Sequence, residues 1–577
     1  MINKLKLYTT FFKFLKPFWL SEVVILLLSM VTIVITMINP YLLKCLIDEA
    51  LMPKNTDLLI KLLIIMIVLS LFGGIINFLS SYYNALVTSK IMLNLRAKVF
   101  RHIIYLPQSF FNKNKVGDLV QKVNNEVDVI RAFVTESLLR LIKNLLMIIG
   151  YVTALCFLNY KLFLISIITF PLILLTLKFF KPRIKKVTEE TRKKDSEILG
   201  FFIERFHNIK LIQSFNIYES EHSKLNENLE ERIKLGMKKV KWTALNSSIT
   251  GFLFALTITI LFSAGGYLII NNQLTIGALF AFVNYLMFLM TPVRDLQNLY
   301  MEVIRVSVSM ERINEILESP TIDSLQPEKP EFFSYSYKIV FKDVKFKYNE
   351  TEILKGINFT LVKGKTYSLV GASGSGKTTI INLLLKFYSP TDGSILIDDV
   401  SLQDIDVFDL RKKVSYISQD NQLFNDSIIE NIRVGNLQSS EKEIINASKK
   451  INIYKQIFSL ERKFNSRVGD QGSKLSGGEK QKIALARIFL RDSDIVILDE
   501  AFASLDSENE REILLELRKK YQLSTIIIIS HRMSTIKEVD EVIFMNDGIV
   551  AEQGKPEDLM MKKEHYWRLF REQLETV

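Results

Sequence analysis

The apolar residues of this chain are unevenly placed. Before residue 300 they form six runs long enough to cross a bilayer, at 21–42, 58–80, 137–158, 160–181, 249–271 and 275–297, and after it they form none. Within Val23–Ile38 only Ser29, Thr32 and Thr36 interrupt strongly apolar residues, a density that suits lipid better than the core of a soluble domain. The connections 81–136 and 181–248 are too long for structureless loops, and their periodic apolar residues predict helices that continue out of the bilayer. Ahead of the first run, Phe11, Leu15 and Phe18 share a helical face away from Lys13 and Lys16. That is the pattern of a short interfacial helix ended or kinked by Pro17, with an ordinary lead-in to the first span as the alternative.

The basic-then-apolar start has the look of a secretion signal. Its apolar run is longer than such signals carry and continues into Asn39-Pro40-Tyr41, so it reads as an uncleaved first span. Past residue 300 the pattern changes. A helix-like segment ends near Leu317, and Ser324–Tyr337 is rich in Pro, Glu, Ser and aromatics, which places a linker at 321–337. Beyond it, strand-like runs at Thr366–Val370, Ile495–Leu498 and Ser524–Ile529 alternate with helical patterns, as in a sheet flanked by helices. The expected organisation is a membrane α-helical domain over 1–320, the linker, and an α/β domain over 338–577.

Composition supports the division. With 48% hydrophobic and 24% charged residues and a mean hydropathy of +0.19, the two kinds of residue must be segregated along the 577-residue chain. Thirty-nine Phe, 12 Pro and two Cys, Cys45 and Cys156, exclude a disordered chain, a collagen-like fibre and a disulfide scaffold. The net charge of +12 suits either nucleic acid or the cytoplasmic loops of a membrane protein. Position decides. Residues 1–20, 81–136 and 181–248 hold four, eight and fifteen Lys or Arg, whereas 43–56, 158–161 and 272–274 hold two, one and none. The positive-inside rule therefore puts both termini and the two long connections in the cytoplasm, and no nucleic acid is required.

Gly371-Ala372-Ser373-Gly374-Ser375-Gly376-Lys377-Thr378 fits a phosphate-binding loop, preceded by a strand and followed by a helical run from Thr379. Its glycines let backbone N–H groups converge on a phosphate, the helix N-terminus adds a positive dipole end, Lys377 reaches the β- and γ-phosphates, and the Thr378 hydroxyl suits Mg²⁺. Asp494–Glu500 reads as a buried strand that carries two carboxylates to the mouth of a sheet, Asp499 for Mg²⁺ and Glu500 to polarise an attacking water.

Leu475-Ser476-Gly477-Gly478-Glu479-Lys480-Gln481, just ahead of Asp499, resembles the signature motif of ATP-binding cassette (ABC) proteins. The other family elements follow in order. Tyr348 resembles the adenine-stacking aromatic, Gln419 the Q-loop glutamine, Ser504-Leu505-Asp506 the D-loop and His531 the switch histidine. Val468–Gly472 is similar to the loop that exporters carry ahead of the signature, with Asp470 where the family usually has Glu. In the membrane part, Phe110-Phe111 with Gly117-Asp118-Leu119 resembles a first cytoplasmic coupling segment, and Ile209–Phe215 a second. Asn112 and Gln121-Lys122 depart from the family's Asp and Ser-Arg.

The resemblance implies six transmembrane helices with long cytoplasmic extensions, plus a C-terminal α/β P-loop nucleotide-binding domain with an α-helical subdomain. It implies ATP and Mg²⁺ as cofactors. Glu500, His531, Gln419 and Lys377 are the expected catalytic residues, and Thr378, Gln419 and Asp499 the expected metal ligands. Nucleotide contacts are expected from Tyr348, Gly371, Ser373, Gly374, Ser375, Gly376, Lys377, Thr378, Thr379, Gln419, Ser476, Gly477, Gly478, Glu479 and Asp506. In the family each ATP lies between the phosphate loop of one domain and the signature of another, so a chain with one of each is expected to be a half-transporter that dimerises. A homodimer follows from its intact motifs, with a heterodimer as the alternative.

The function implied is ATP-driven export by alternating access, with an ATP-gated regulator or channel as the alternative. No Asp or Glu stands at the centre of a span, which favours an amphipathic, lipid-like, drug or peptide cargo over a coupled cation. Phe254, Phe280, Phe282, Tyr285 and Phe288 either line the route or pack helices. The leader-cleaving protease domain of some peptide exporters is not expected ahead of the first span. The high Ile, Lys and Asn content suggests a bacterial plasma membrane as the location.

Overall fold

A computed structural model describes residues 16–114, 116–327 and 330–575. The expected interfacial positions Phe11, Lys13 and Leu15 lie outside the described residues. The chain forms two compact units, one running up to Phe100 and resuming over Val120–Leu317, the other made of Arg101–Leu119 with the chain from Glu318 onward.

The first unit is helical. α1 (Trp19–Cys45) passes into a π-helical turn at Leu46–Leu51, and α2 (Thr56–Ile104) follows. After α3 (Gln108–Lys113) and α4 (Val116–Gln121) come α5 (Val127–Ala132), α6 (Leu138–Ile167), α7 (Phe170–His207), α8 (Ile209–Ser214), α9 (Tyr218–Ile270) and α10 (Ile276–Glu318). Among the described residues, five helices are long and apolar enough to cross a membrane. In four of them less than a quarter of the apolar window is buried, and apolar surface on that scale needs lipid or another chain against it.

The run expected as a fourth span, 160–181, is not one helix. Asn159, at the expected boundary between the third and fourth runs, is extended (φ −166°, ψ 105°), and its side-chain oxygen accepts the Leu162 N–H at 3.0 Å, so it ends one helical stretch and caps the next. A second break follows at Ile168–Thr169, because Pro171 in the first turn of α7 has no N–H to continue the ladder. The two pieces together keep the apolar length of a sixth crossing.

The helices meet through small residues. A Cβ on Gly150 would lie 2.3 Å from Met37 Cε, and one on Gly265 would lie 2.4 Å from Leu279 Cδ1. Tyr151, Leu155, Leu162, Leu261, Phe282 and Tyr285 form the centre of the packing, and the Tyr285 hydroxyl donates to Met37 O at 2.7 Å. Phe282 and Tyr285 are thus packing residues, whereas Phe280 and Phe288 are exposed on this unit. Asp48 accepts from the Thr275 hydroxyl (2.5 Å) and the Gly277 N–H (2.8 Å) at the start of α10. Farther along α10, Glu302 binds Ser137 (2.6 Å) and Arg140 (3.3 Å), and Glu126 binds Ser309 and Arg312, both at 2.5 Å.

The second unit is built on two sheets. β1 (Lys338–Tyr348), β2 (Thr351–Val362), β4 (Asp392–Ile397) and β5 (Val400–Ser401) form an antiparallel sheet in the order β2-β1-β4-β5, while β3 (Thr366–Gly371) belongs to the other. That sheet runs β10-β9-β3-β8-β7-β6, with β6 (Val414–Ile417), β7 (Ile495–Asp499), β8 (Thr525–Ile529) and β9 (Glu541–Asn546) parallel to β3 and β10 (Ile549–Gly554) antiparallel at the edge.

Strand alternation divides the core. Ile495, Ile497, Ile527, Ile529, Ile543 and Met545 enter the cluster shared with the antiparallel sheet. Val496, Leu498, Ile526, Ile528, Val542 and Phe544 enter the one shared with the helices. Of the helices, α11 (Lys377–Leu384) and α12 (Val407–Lys413) send Ile380, Ile381, Leu383, Leu384 and Leu410 into the first cluster, whereas those of the second are α13 (Ile428–Arg433), α14 (Glu441–Lys450), α15 (Tyr454–Ser459), α16 (Gly477–Phe489), α17 (Ser507–Lys520), α18 (Met533–Ile536), α19 (Pro556–Lys562) and α20 (His565–Glu575). The run α13–α15, between β6 and the signature, supplies the expected helical subdomain.

Candidate nucleotide site

The C-terminal ends of four parallel strands converge on one place, where an open α/β sheet binds its ligands. β3 ends in the phosphate loop, β6 leads to Gln419, β7 ends at Asp499 and β8 leads to His531. Gly371 has φ +152°, and a Cβ there would stand 2.1 Å from Met545 O, so no side chain fits. Gly376 has φ +101° with Leu354 Cδ2 2.6 Å from its ideal Cβ, and α11 begins at the next residue. The free N–H groups of that first turn, at Lys377, Thr378 and Thr379, are the anion-binding end of the helix.

Lys377 is buried, and its ammonium donates to Gly371 O (2.9 Å), Ala372 O (2.7 Å) and Ser375 Oγ (3.3 Å). Burial lowers its pKa, against the opposing charges of Glu500 and Asp499. Asp499 is also buried, with the Thr378 hydroxyl 3.5 Å from its carboxylate. Its pKa is pushed up to about 6, first by burial and then by the charge of Glu500, partly offset by Thr378 and Lys377.

Glu500 stands in the left-handed region at φ +49°, a conformation that costs energy for a residue with a Cβ. Its N–H donates to Ile529 O at 3.0 Å, and its carboxylate accepts from Gln419 Nε2 (2.9 Å) and lies 3.4 Å from His531 Nε2. Two of the expected catalytic residues, Gln419 and His531, therefore meet the third, Glu500. With Lys377, Thr378, Thr379, Ser373, Gly374, Gly376, Asp499 and Tyr348 they line one cleft of about 260 Å³. The Tyr348 ring is held edge-on by Phe346 (4.7 Å) and Tyr388 (5.1 Å), and its hydroxyl accepts from Asn382 at 3.2 Å. Gly371 and Ser375 shape the loop from beneath rather than lining the cleft.

The remaining expected contacts lie elsewhere. Ser476 caps α16, and Glu479 bonds back to the Ser476 N–H and hydroxyl, both at 2.8 Å, a reciprocal capping box. The Glu479 carboxylate is thus committed to the cap. Ser476 and Gly477 are exposed, and Gly478 sits so close to the D-loop that a Cβ would be 3.1 Å from Ser504 O. Asp506 caps α17 by accepting the Asn509 N–H at 2.9 Å, and that bond lowers its pKa. None of Ser476, Gly477, Gly478, Glu479 and Asp506 lines the cleft.

Two ties were not apparent from the sequence. Gln481 donates to Glu500 O (3.4 Å) and accepts the Ser504 N–H (2.8 Å), joining the end of β7 to the D-loop. Arg532, beside the switch histidine, donates to Ala503 O (2.8 Å), Leu505 O (2.6 Å) and the buried Glu510 carboxylate (2.8 Å). Because Arg532→Ala strands the Glu510 charge, we expect it to destabilise this unit by about 3 kcal/mol, the low end for a broken buried pair given that Arg532 is partly exposed. Thermal melting of the purified chain checks this, with Glu510→Gln on the Arg532→Ala background recovering part of the loss.

The stretch expected as a first coupling segment, 110–119, belongs to this unit. Asn112, where the family has Asp, donates to the Tyr388 hydroxyl at 2.5 Å, and the Tyr105 and Phe408 rings lie 6.3 Å apart.

A glycine-rich loop closing on a helix N-terminus, two carboxylates at the end of β7 and His531 beside one of them give this unit the geometry of a phosphate-binding site, behind helices of membrane-crossing length. The family comparisons agree. Residues 23–293 match the ABC transporter transmembrane region and residues 354–503 match the ABC transporter family. The chain is 31% identical to YgaD of Bacillus subtilis (strain 168), whose name proposes it as a multidrug export ATP-binding/permease protein, over 97% of this chain and 98% of the relative. It is 30% identical to the ATP-dependent lipid A-core flippase of Syntrophus aciditrophicus (strain SB), over 92% of this chain and 88% of that one. The structure of a bacterial Atm1-family ABC exporter with ATP bound has the same fold, with a TM-score of 0.83 and 24% identity over 97% of this chain and 98% of that one. The chain belongs to the ABC transporter family and is a multi-pass, ATP-hydrolysing membrane transporter of the exporter type.

Proposed function

We propose that two copies of this chain form an exporter for an amphipathic, lipid-like, drug or peptide cargo, with the nucleotide domains in the cytoplasm at the plasma membrane. One observation carries the dimer. The cleft holds the phosphate loop, Glu500 and His531, while the exposed signature serine is outside it, so a γ-phosphate in the cleft meets a signature only from another copy. A symmetric pair then encloses two nucleotides.

The oxygens of Thr378, Gln419 and Asp499 suit Mg²⁺, and a carboxyl held up by burial and a neighbouring charge is one that a divalent cation would ionise. When bound, the ion neutralises charge on the phosphates. Lys377 and the first turn of α11 bind and orient the phosphates. Glu500 takes the proton of the attacking water at its carboxylate, and His531 and Gln419 hold that carboxylate in place. Contacts made only across closed domains favour the closed state, so ATP binding turns the membrane cavity outward and hydrolysis resets it.

The names of the relatives, multidrug export and lipid A-core flipping, support an amphipathic cargo. The purified chain alone in lipid nanodiscs is expected to hydrolyse Mg-ATP in a Glu500-dependent way, with stimulation by one class in a panel of lipids, hydrophobic drugs and peptides. No activity above the Glu500→Gln background would contradict the homodimer.

A further inference from the structure

α7 and α9 lie side by side in opposite directions. Phe180 meets Trp242 (6.1 Å) near one end, Asp195 meets Arg232 (3.0 Å) in the middle and Arg205 meets Glu221 (2.6 Å) near the other. Both helices change character at the same level. α7 is largely apolar from Phe170 to Leu177 and then reads Lys178-Phe179-Phe180-Lys181-Pro182-Arg183-Ile184-Lys185-Lys186, while α9 carries Lys234, Lys238, Lys239 and Lys241 before Trp242 and turns apolar beyond Ser248. Aromatic residues beside a basic segment at such a change mark a membrane interface.

Helical spacing sorts these charges onto edges. Phe179, Arg183 and Lys186 recur at i, i+4 and i+7 on α7, and Lys234, Lys238 and Lys241 do so on α9. The two edges join at one point, because the Arg183 guanidinium lies over the Phe179 ring (3.7 Å) and within 5.7 Å of the Trp242 ring. Lys178, Lys181 and Lys185 fall on the other side of α7. Five cations therefore share one exposed edge beneath two aromatic rings.

Acids begin within one turn of these cations: Glu189 pairs with Lys185 (3.7 Å), Glu190 follows Lys186 by one turn, and the Glu231 pKa is lowered by its hydrogen bond to Lys194 and further by the charge of Lys234. Farther from the apolar segments, Lys194 pairs with Glu231, Arg232 with Asp195 and Arg205 with Glu221. Among the described residues, no carboxylate lies within ion-pairing distance of Lys186, Lys238 or Lys241. Uncompensated like charges at a membrane interface attract anionic headgroups, each Lys or Arg strengthening association about fivefold.

We propose that this edge is a binding site for the phosphate headgroup of anionic phospholipid in the adjoining leaflet, with Arg183, Lys186, Lys238 and Lys241 on the phosphate and Phe179 and Trp242 against the lipid body. The site is separate from the nucleotide cleft and does not depend on the identity of the cargo.

The test uses the full chain in detergent with Trp19 and Trp567 replaced by Phe, so that Trp242 reports. Short-chain phosphatidylglycerol is titrated against short-chain phosphatidylcholine, glycerol phosphate and inorganic phosphate. Phosphatidylglycerol is expected to bind at least tenfold more tightly than any other probe, and more weakly as salt rises. The triple change Lys186→Gln, Lys238→Gln, Lys241→Gln should weaken it about 100-fold. The matched triple Lys178→Gln, Lys181→Gln, Lys185→Gln should leave it within about threefold, and Lys→Arg at the three test positions should restore it. Equal binding of the two lipids, inorganic phosphate as strong as the lipid, or equal loss in both triples would overturn the proposal. So would crosslinking of residue 238 to a second copy, which would show the edge covered by protein. Should the test triple fail to fold, the salt dependence and lipid selectivity of the unmodified edge decide.

Discussion

Glu500→Gln is expected to lower ATP turnover by about 10²–10⁴-fold, the usual contribution of a positioned general base, without loss of nucleotide binding. Carboxamide and carboxylate are nearly the same size, so the left-handed turn at φ +49° and the N–H bond to Ile529 O can persist. What disappears is the acceptor for the water's proton. The Gln419 and His531 contacts at 2.9 and 3.4 Å lose their charge but not their partner, and removing one carboxylate relieves the pressure that holds Asp499 up near 6. Nucleotide therefore stays bound, and the contacts that close the domains persist with it. The expected signature is a dimer crosslinkable in Mg-ATP that persists for many wild-type turnover times. Wild-type turnover in this variant would remove Glu500 from the chemistry.

The second large effect concerns which chain supplies which half of a site. Lys377→Ala removes the buried ammonium of the phosphate loop. Gly477→Asp adds an anion where a Cβ already meets Ser504 Oγ at 3.3 Å, beside the exposed serine of the signature. Each alone is expected to reduce hydrolysis in a homodimer by about tenfold or more, the loss of one charge-assisted phosphate contact or the gain of a repulsive one. Mixed dimers separate the possibilities. If sites are shared, a Lys377→Ala chain paired with a Gly477→Asp chain keeps one intact site, whereas a doubly altered chain paired with wild type keeps none. If each chain completes its own site, the outcome reverses. Single-turnover hydrolysis by affinity-purified mixed dimers reads the difference directly.

Much of this site was legible because its chemistry restricts both residue type and backbone. Only glycine fits against Met545 O at residue 371, and only a strand ending in carboxylates delivers Asp499 and Glu500 to the mouth of the sheet. The signature was legible as a motif, and the Ser-x-x-Glu spacing inside it also carried the capping box that ties Glu479 to Ser476. Asp506 likewise caps a helix. The Arg532–Glu510 pair had no local signal, since hydropathy does not record which of many charges is buried 22 residues away.

In the membrane part, apolar runs identify lipid-exposed length but not continuity. Asn159 marked the boundary between the third and fourth runs and Pro171 the break within the fourth, which a sum over a window hides. The placement of Arg101–Leu119 with the nucleotide unit was out of reach for a similar reason. It depends on contacts such as Asn112 with Tyr388, which join residues 276 apart in the chain.

The central claim is that this chain alone converts ATP into net movement across a membrane. Proteoliposomes containing only the purified chain, with nucleotide domains outward, should be loaded externally with the compound that most stimulates hydrolysis, and accumulation in the lumen followed with Mg-ATP. Accumulation above the external concentration, absent with Glu500→Gln, is the expected result. Equilibration to the external concentration and no further, with ATP hydrolysed or merely bound, would identify a gated channel and contradict it.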